Sequence, residues 1–114
     1  MKIGREFYFE AAHHLPNYKG KCEQVHGHTY KLEVVIEGEK GKDGMVMDFG
    51  ELGEVVEKEV IGVLDHQELN LLLPNPTAEN IVEWVWKKLE SKLPLYSLKL
   101  WEGRAKWVMK EREK

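Results

Sequence analysis

Three histidines stand at positions whose strand spacing suits a shared metal ion. His26 and His28 are two residues apart in a segment that alternates apolar and polar side chains, so both point to the same face of a strand. That face also carries Leu32, which makes it the buried one. His13 continues the parity of Phe9 in an earlier alternating segment, so it faces inward as well.

The two segments bring these histidines together if they pair as an antiparallel hairpin. The end of the first strand then lies beside the start of the second, and His13 adjoins His26 and His28. Three neutral imidazoles give zinc three protein ligands and leave a fourth position for water or substrate, as in catalytic zinc sites. The alternative is that these histidines are core residues, each hydrogen-bonded to a backbone group. His14 falls on the outward parity and is expected to be a surface or loop residue.

Other reactive side chains lie outside this histidine set. Cys22, in the loop before His26, is either a small buried hydrophobe or a thiol whose pKa nearby positive charge lowers. Asp65 and His66 end the first predicted helix, where a carboxylate can fix the tautomer of an imidazole or the imidazole can interact with the helix dipole. Glu102 continues the parity of an apolar strand, so it either reaches solvent or takes a buried partner such as an amino-pyrimidinone ring.

The elements that must position these residues follow from hydrophobic periodicity and capping signals. Strands, then helices, then strands predict an α+β protein with an antiparallel sheet covered on one face by two helices. Asp48 and Thr77 are the expected N-caps of the helices, which end near Leu64 and before Pro94. The predicted strands are Lys2 to His13, His26 to Glu37, a short return strand at Met45 to Met47, Leu95 to Glu102, and Ala105 to Lys110.

Composition narrows the class of protein further. The 114 residues predict one domain, 1–114, and 42% hydrophobic with 32% charged residues is ordinary for a globular chain. The net charge of −3 gives no reason to expect nucleic acid or an anionic membrane as partner. The N-terminus lacks the apolar stretch of a secretory signal, and the single cysteine fits a reducing cytoplasm, so a cytoplasmic location is expected.

Four motifs together resemble the 6-pyruvoyltetrahydropterin synthase / 6-carboxytetrahydropterin synthase family. They occur in the family order and extend over nearly the whole chain. The motifs are Phe9-Glu10-Ala11-Ala12-His13, Cys22-x-x-x-His26-Gly27-His28, Leu64-Asp65-His66 and Asn75-Pro76-Thr77-x-Glu79-Asn80.

The resemblance implies a tunnelling fold, or T-fold: a four-stranded antiparallel sheet with two helices on one face. It also implies a homo-oligomer, a hexamer built as a dimer of trimers with active sites between subunits. It assigns Zn²⁺ to His13, His26 and His28, and proton transfer to Cys22 with Asp65 and His66. Glu102 would anchor the pterin ring with Thr77 nearby, although Glu102-Gly103 departs from the commoner Glu-Thr ending.

The implied reaction is a lyase step on 7,8-dihydroneopterin triphosphate that yields 6-carboxy-5,6,7,8-tetrahydropterin with release of acetaldehyde and triphosphate. This product feeds the synthesis of 7-deazaguanine bases of tRNA. The 6-pyruvoyl product and a hydroxymethyl pterin for folate are the alternatives within the family. The last of these uses a glutamate near the cysteine position, and Glu23 is a possible alternative base of this kind or a solvated loop charge. A non-catalytic zinc- and pterin-binding oligomer is the alternative from another class.

Overall fold

The computed structural model describes residues 1–16 and 24–113. Its elements in chain order are β1 (Lys2–His13), β2 (His26–Glu37), α1 (Phe49–Val56), a π-helical stretch (Glu57–Ile61), α2 (Gly62–Leu64), β3 (Gln67–Glu68), a 3₁₀ turn (Leu69–Leu71), α3 (Ala78–Leu89), β4 (Leu95–Glu102) and β5 (Lys106–Glu111). No helix in these ranges is long and apolar enough to cross a membrane.

The strands form one mixed sheet in the order β3-β1-β2-β4-β5. The four long strands are antiparallel to their neighbours, whereas β3 pairs in parallel with Ala11 and Ala12 of β1. The predicted α+β fold is confirmed, but the strand count is five rather than four. A two-residue strand has no periodicity, so the sequence pattern could not reveal β3.

The core lies between one face of the sheet and the helices. Alternate residues of β1 and β2 are buried, from Phe7 and Phe9 to Leu32 and Val34, as the period of two predicts. The helices contribute Leu52, Val56, Ile81 and Val85, among others, to the same cluster. The opposite face of the sheet has no helix over it among the described residues, and its charged and aromatic side chains remain accessible.

Both predicted helix starts are present. The Asp48 carboxylate accepts hydrogen bonds from the N–H groups of Gly50 and Glu51, and the Thr77 hydroxyl accepts one from Asn80 N. These side chains satisfy donors that the first helical turn leaves free. The helices therefore begin where the capping residues predict.

The predicted return strand at Met45 to Met47 is wrong, because this segment belongs to a turn. Gly41 N donates to Met45 O over 2.9 Å, and the Asp43 carboxylate accepts from Met45 N over 3.0 Å. Gly44 supports the turn with a φ of 85°, a conformation that glycine adopts without steric cost. These two bonds use the N–H and the C=O of Met45, which strand pairing at this residue would have needed.

A side-chain clamp fastens the first helix to the start of β1. The Arg5 guanidinium donates to Phe49 O over 2.8 Å. A Cβ atom on Gly53 would overlap that guanidinium, so any larger residue at this position would displace the Arg5 side chain. This contact holds the N-terminal end of β1, whereas His13 lies at its C-terminal end.

Candidate metal centre

Strand pairing brings the three predicted histidines together at one end of the sheet. In the β1–β2 register His13 lies opposite His26, and Ala11 lies opposite His28. Ring centroids are 4.7 Å apart for His13 and His26, 5.0 Å for His13 and His28, and 4.7 Å for His26 and His28. One nitrogen from each ring lies within 4.8 Å of the others, so the three could hold a metal ion.

Backbone carbonyls determine which nitrogen of two of these rings is free. His13 Nδ1 lies 2.7 Å from Pro76 O, and His26 Nδ1 lies 2.8 Å from Gln24 O. A carbonyl oxygen only accepts, so each Nδ1 must carry the proton and each neutral ring has its lone pair on Nε2. These two Nε2 atoms face each other at 3.2 Å. Two lone pairs at that distance repel, and a cation between them removes the repulsion.

His28 supplies a third donor that is not satisfied by a hydrogen bond. Its Nε2 is buried and has no hydrogen-bond partner within residues 1–16 and 24–113. Burial lowers the pKa of His28, the Glu102 carboxylate opposes this shift, and the neighbouring imidazoles of His13 and His26 lower the pKa further. The ring is therefore neutral near pH 7, as a metal ligand must be. A donor set of three imidazole nitrogens fits zinc.

Glu102 lies beside this histidine cluster rather than in open solvent. Its Oε1 is 3.5 Å from His28 Nε2 and 3.7 Å from Lys106 Nζ, and its side chain is only 18% exposed. It lines a cavity of about 260 Å³ together with His13, Thr77 and Lys106. The cavity thus places a carboxylate acceptor next to the candidate metal ligands, where a ligand with paired N–H donors could be held.

Tyr30 forms the buried floor of the cluster. It stacks on Phe9 with ring centroids 4.9 Å apart, and its hydroxyl lies 3.4 Å from His13 Nδ1. Burial raises the pKa of this hydroxyl, and the Glu102 carboxylate raises it further. Tyr30 therefore stays protonated and neutral under the histidines.

Asp65 and His66 form a second group, and His66 lines a cleft that extends to His28. The Asp65 carboxylate lies 3.0 Å from His66 Nδ1 and also accepts from Glu10 N over 2.9 Å. The Glu10 N–H is the largest cause that lowers the pKa of Asp65, and the hydrogen bond from His66 lowers it further. Because the Asp65 carboxylate accepts a hydrogen bond from Nδ1–H, the neutral form of His66 has its lone pair on Nε2, and the ring lines a cleft of about 450 Å³ that also contains His28.

The backbone holds this pair in place. His66 has a φ of 60°, and its N–H donates to Glu10 O over 2.6 Å. The side chain is 78% exposed, so nothing covers its reactive edge within the described chain. Cys22 and Glu23, the other predicted proton-transfer residues, lie outside the described residues, and their roles stay predictions.

Sequence patterns missed several groups that shape the site. The carbonyls of Pro76 and Gln24 belong to residues whose side-chain types carry no metal chemistry, so no signal could have found them. Asn70 and Lys106 also went unnoticed, since an isolated amide or lysine is ordinary at a surface. His14 lies in the loop after β1, one of the two predicted settings, and is half-buried; its Nδ1 has no hydrogen-bond partner among the described residues.

The sheet is covered by helices on one face and has three histidines and a carboxylate at one end. This is the arrangement of a tunnelling-fold protein with a candidate metal centre. The sequence model of the 6-pyruvoyl tetrahydropterin synthase family matches residues 2–113. The chain belongs to that family, and the predicted membership is confirmed.

Individual relatives agree with this assignment. Dihydroneopterin monophosphate aldolase of Pyrococcus furiosus is 46% identical over 99 residues, which cover 83% of each chain. The 6-carboxy-5,6,7,8-tetrahydropterin synthase of Synechocystis sp. is 43% identical over 95 residues, covering 77% of this chain and 74% of the relative. The structure of Caenorhabditis elegans 6-pyruvoyl tetrahydropterin synthase matches with a TM-score of 0.88 and 25% identity over 99% of this chain and 96% of that one. These relatives are named as enzymes.

Proposed function

We propose that this protein is a zinc-dependent lyase that cleaves the side chain of a phosphorylated 7,8-dihydroneopterin. The observation that carries the proposal is the convergence of two free Nε2 lone pairs and the unpartnered His28 nitrogen beside Glu102. When bound there by His13, His26 and His28, zinc supplies a Lewis acid that stabilises negative charge on the side-chain oxygens of the substrate.

The residues around the centre bind the pterin ring and transfer protons. Glu102 accepts hydrogen bonds from the N–H edge of the pterin ring, which places the ring in the cavity shared with Thr77 and His13. His66, oriented by Asp65, takes up and returns protons through Nε2. Cys22 is the proposed thiol base for the carbon-bound proton, an assignment that rests on its place in the Cys-x-x-x-His-Gly-His motif.

The first candidate product is 6-carboxy-5,6,7,8-tetrahydropterin, formed from the triphosphate and water with release of acetaldehyde and triphosphate. Its support is the group of relatives that bear this name, including the one from Synechocystis. This product would place the protein in the synthesis of 7-deazaguanine bases.

A second candidate, a retro-aldol cleavage, is favoured by a specific comparison. The relative with 46% identity is named for an aldolase of dihydroneopterin monophosphate. In such a reaction the bond between the two hydroxyl-bearing carbons breaks, a base takes the proton of the second hydroxyl, and the first carbon receives a proton. The products are 6-hydroxymethyl-7,8-dihydropterin and glycolaldehyde phosphate. Glu23, adjacent to Cys22, offers a carboxylate for this chemistry.

One experiment separates the candidates. The zinc-loaded protein is incubated in parallel with 7,8-dihydroneopterin triphosphate and monophosphate, and the products are identified by mass spectrometry with trapping of aldehydes. Acetaldehyde and carboxytetrahydropterin from the triphosphate support the first candidate. Hydroxymethyl dihydropterin and glycolaldehyde phosphate from the monophosphate support the second. Binding of pterin without any product would refute the lyase proposal and favour a non-catalytic binder.

Two variants sharpen that experiment. Cys22→Ala is expected to abolish most turnover in the first candidate reaction while leaving zinc bound, because the thiol is not a metal ligand in this proposal. Glu23→Gln is its neighbouring control and keeps the size of the side chain. A protein that loses activity through Glu23→Gln and keeps it in Cys22→Ala uses the carboxylate as its base.

A further inference from the structure

The short turn after β3 holds the backbone that follows His13. Asn70, in the 3₁₀ turn Leu69–Leu71, accepts a hydrogen bond from His14 N over 2.9 Å through its Oδ1. Its Nδ2 donates to His14 O over 3.0 Å. Both bonds are partly buried, and together they satisfy the donor and the acceptor of the same residue. A single side-chain amide thus forms the two backbone hydrogen bonds that a neighbouring strand forms along the rest of β1.

The same stretch of chain also holds the ring of His13. Six residues after Asn70, Pro76 O accepts the Nδ1 proton of His13 over 2.7 Å in a buried contact. Pro76 directly precedes Thr77, the cap of α3. Residues 69–77 therefore restrain both the main chain next to His13 and the orientation of its imidazole.

The position of His13 in its strand makes this restraint necessary. The β1–β2 ladder ends with the pair His13 and His26, and residues 14 and 15 are not in a strand. Beyond that pair, Asn70 is the side chain that satisfies the backbone of His14 in the described chain. Without it the end of β1 is free to fray, and the His13 Nε2 atom loses its fixed position opposite His26 Nε2.

We propose that Asn70 is a positioning residue of the metal centre: it holds the end of β1 so that His13 is presented to the ion. This inference rests on the metal site of the proposed function and adds a residue that does not touch metal or substrate. Groups that orient a metal ligand change metal affinity by about 10- to 100-fold when removed. Asn70→Ala is therefore expected to weaken zinc binding within that range.

The test measures zinc affinity by competition with a chromophoric chelator, in the full-length protein and without substrate. A second readout is the visible absorption of the cobalt(II)-loaded protein, which reports ligand geometry and is expected to differ between Asn70→Ala and the wild type. Asn70→Asp covers the case in which the alanine variant does not fold. It keeps the acceptor for His14 N and cannot donate to His14 O, so it is expected to lose part of the affinity.

Arg5→Met is the matched control. Arg5 also joins β1 to a segment far along the chain, by donating to Phe49 O, but it does so at the opposite end of the strand. It is expected to lower stability and leave zinc affinity and the cobalt spectrum unchanged. Wild-type zinc affinity and cobalt spectra in both Asn70 variants would overturn the inference and leave the proposed function standing. A wild-type protein that binds neither metal would overturn the metal centre itself.

Discussion

The donor atoms of the three histidines are set by what the other side of each ring contacts. The Nδ1–H groups of His13 and His26 each donate to a backbone carbonyl, so the lone pairs lie on the Nε2 atoms, which face each other. His28 is neutral because burial lowers its pKa. A ligand that is already neutral does not have to release a proton when it binds zinc.

Loss of one ligand should therefore act on metal binding directly. His28→Ala is expected to weaken zinc affinity by more than about 100-fold, the upper end of what loss of a supporting group costs. The matched control is His14→Ala, which removes a neighbouring imidazole outside the cluster and should leave zinc affinity within a few-fold. Chelator competition measures both. Equal losses in the two variants would contradict the assigned ligand set.

Asp65 provides a pH-dependent prediction at the same scale. Its pKa is lowered in the folded protein, chiefly by Glu10 N–H, below the value of about 3.9 of an unfolded chain. The stability that it contributes is thus fully present above about pH 4 and is lost as the pH falls through the folded pKa. The difference in unfolding free energy between the wild type and Asp65→Asn should shrink in acid.

Chemical denaturation of the metal-free proteins at pH 6 and at steps below pH 4 measures that difference. The asparagine variant keeps an acceptor for Glu10 N–H, but it loses the negative charge together with the acceptor for His66 Nδ1–H. A difference that stays constant, or grows in acid, would show that the Asp65 charge does not stabilise the fold.

Among the elements, the first helix shows how far periodicity predicts a fold. The helical spacing of Leu52, Val56, Val60 and Val63 predicts that all four are buried. The first three are buried, but Val63 is 37% exposed, whereas Leu64 is 1% exposed. The π-helical stretch Glu57–Ile61 adds a residue to the turn and shifts every later side chain around the axis. Sequence spacing assumes an unbroken α-helix, so it could not place Leu64 in the core ahead of Val63.

This shift is testable by paired truncations. Leu64→Ala removes a fully buried side chain and is expected to lower the unfolding free energy by about 2–5 kcal/mol. Val63→Ala acts at an accessible position and should change it by about 0.5 kcal/mol or less. Denaturant titration of the two variants measures the contrast. The reverse order of effects would mean that the helix follows the uninterrupted pattern.

The candidate site was predictable where side chains alternate and unpredictable where backbone groups take part. Parity on two strands was enough to bring His13 beside His26 and His28, because strand pairing converts sequence spacing into distance. The contacts of Pro76 and Asn70 with β1 join residues more than fifty positions apart and depend on loop conformation. No local pattern encodes such contacts.

The sheet of the whole molecule has two long edges without a strand neighbour in the described chain. β3 covers only Ala11 and Ala12 on the outer side of β1, and β5 has β4 on one side alone. Trp107 and Met109 on β5 are 49% and 47% exposed. Open edges and exposed apolar side chains favour association through the sheet. They support the predicted hexamer, which remains a proposal together with the cytoplasmic location.

Mass in solution tests this assembly. Six chains of 13.3 kDa give a particle of about 80 kDa, and light scattering coupled to size exclusion should report that value at micromolar concentration. Met109→Lys, which adds a charge to the open edge, is expected to shift the mass toward smaller species. A wild-type mass of 13.3 kDa would refute association altogether.

The left-handed backbone at His66 limits how this protein could change over evolutionary time. A φ of 60° is accessible to glycine and asparagine, tolerated by histidine, and strained for valine, isoleucine and threonine. A descendant that no longer needed a base at this position would retain the turn most easily by acquiring glycine or asparagine. Such a substitution would preserve the fold while removing the imidazole. A relative with glycine or asparagine at position 66 would then have kept the structure and lost the base.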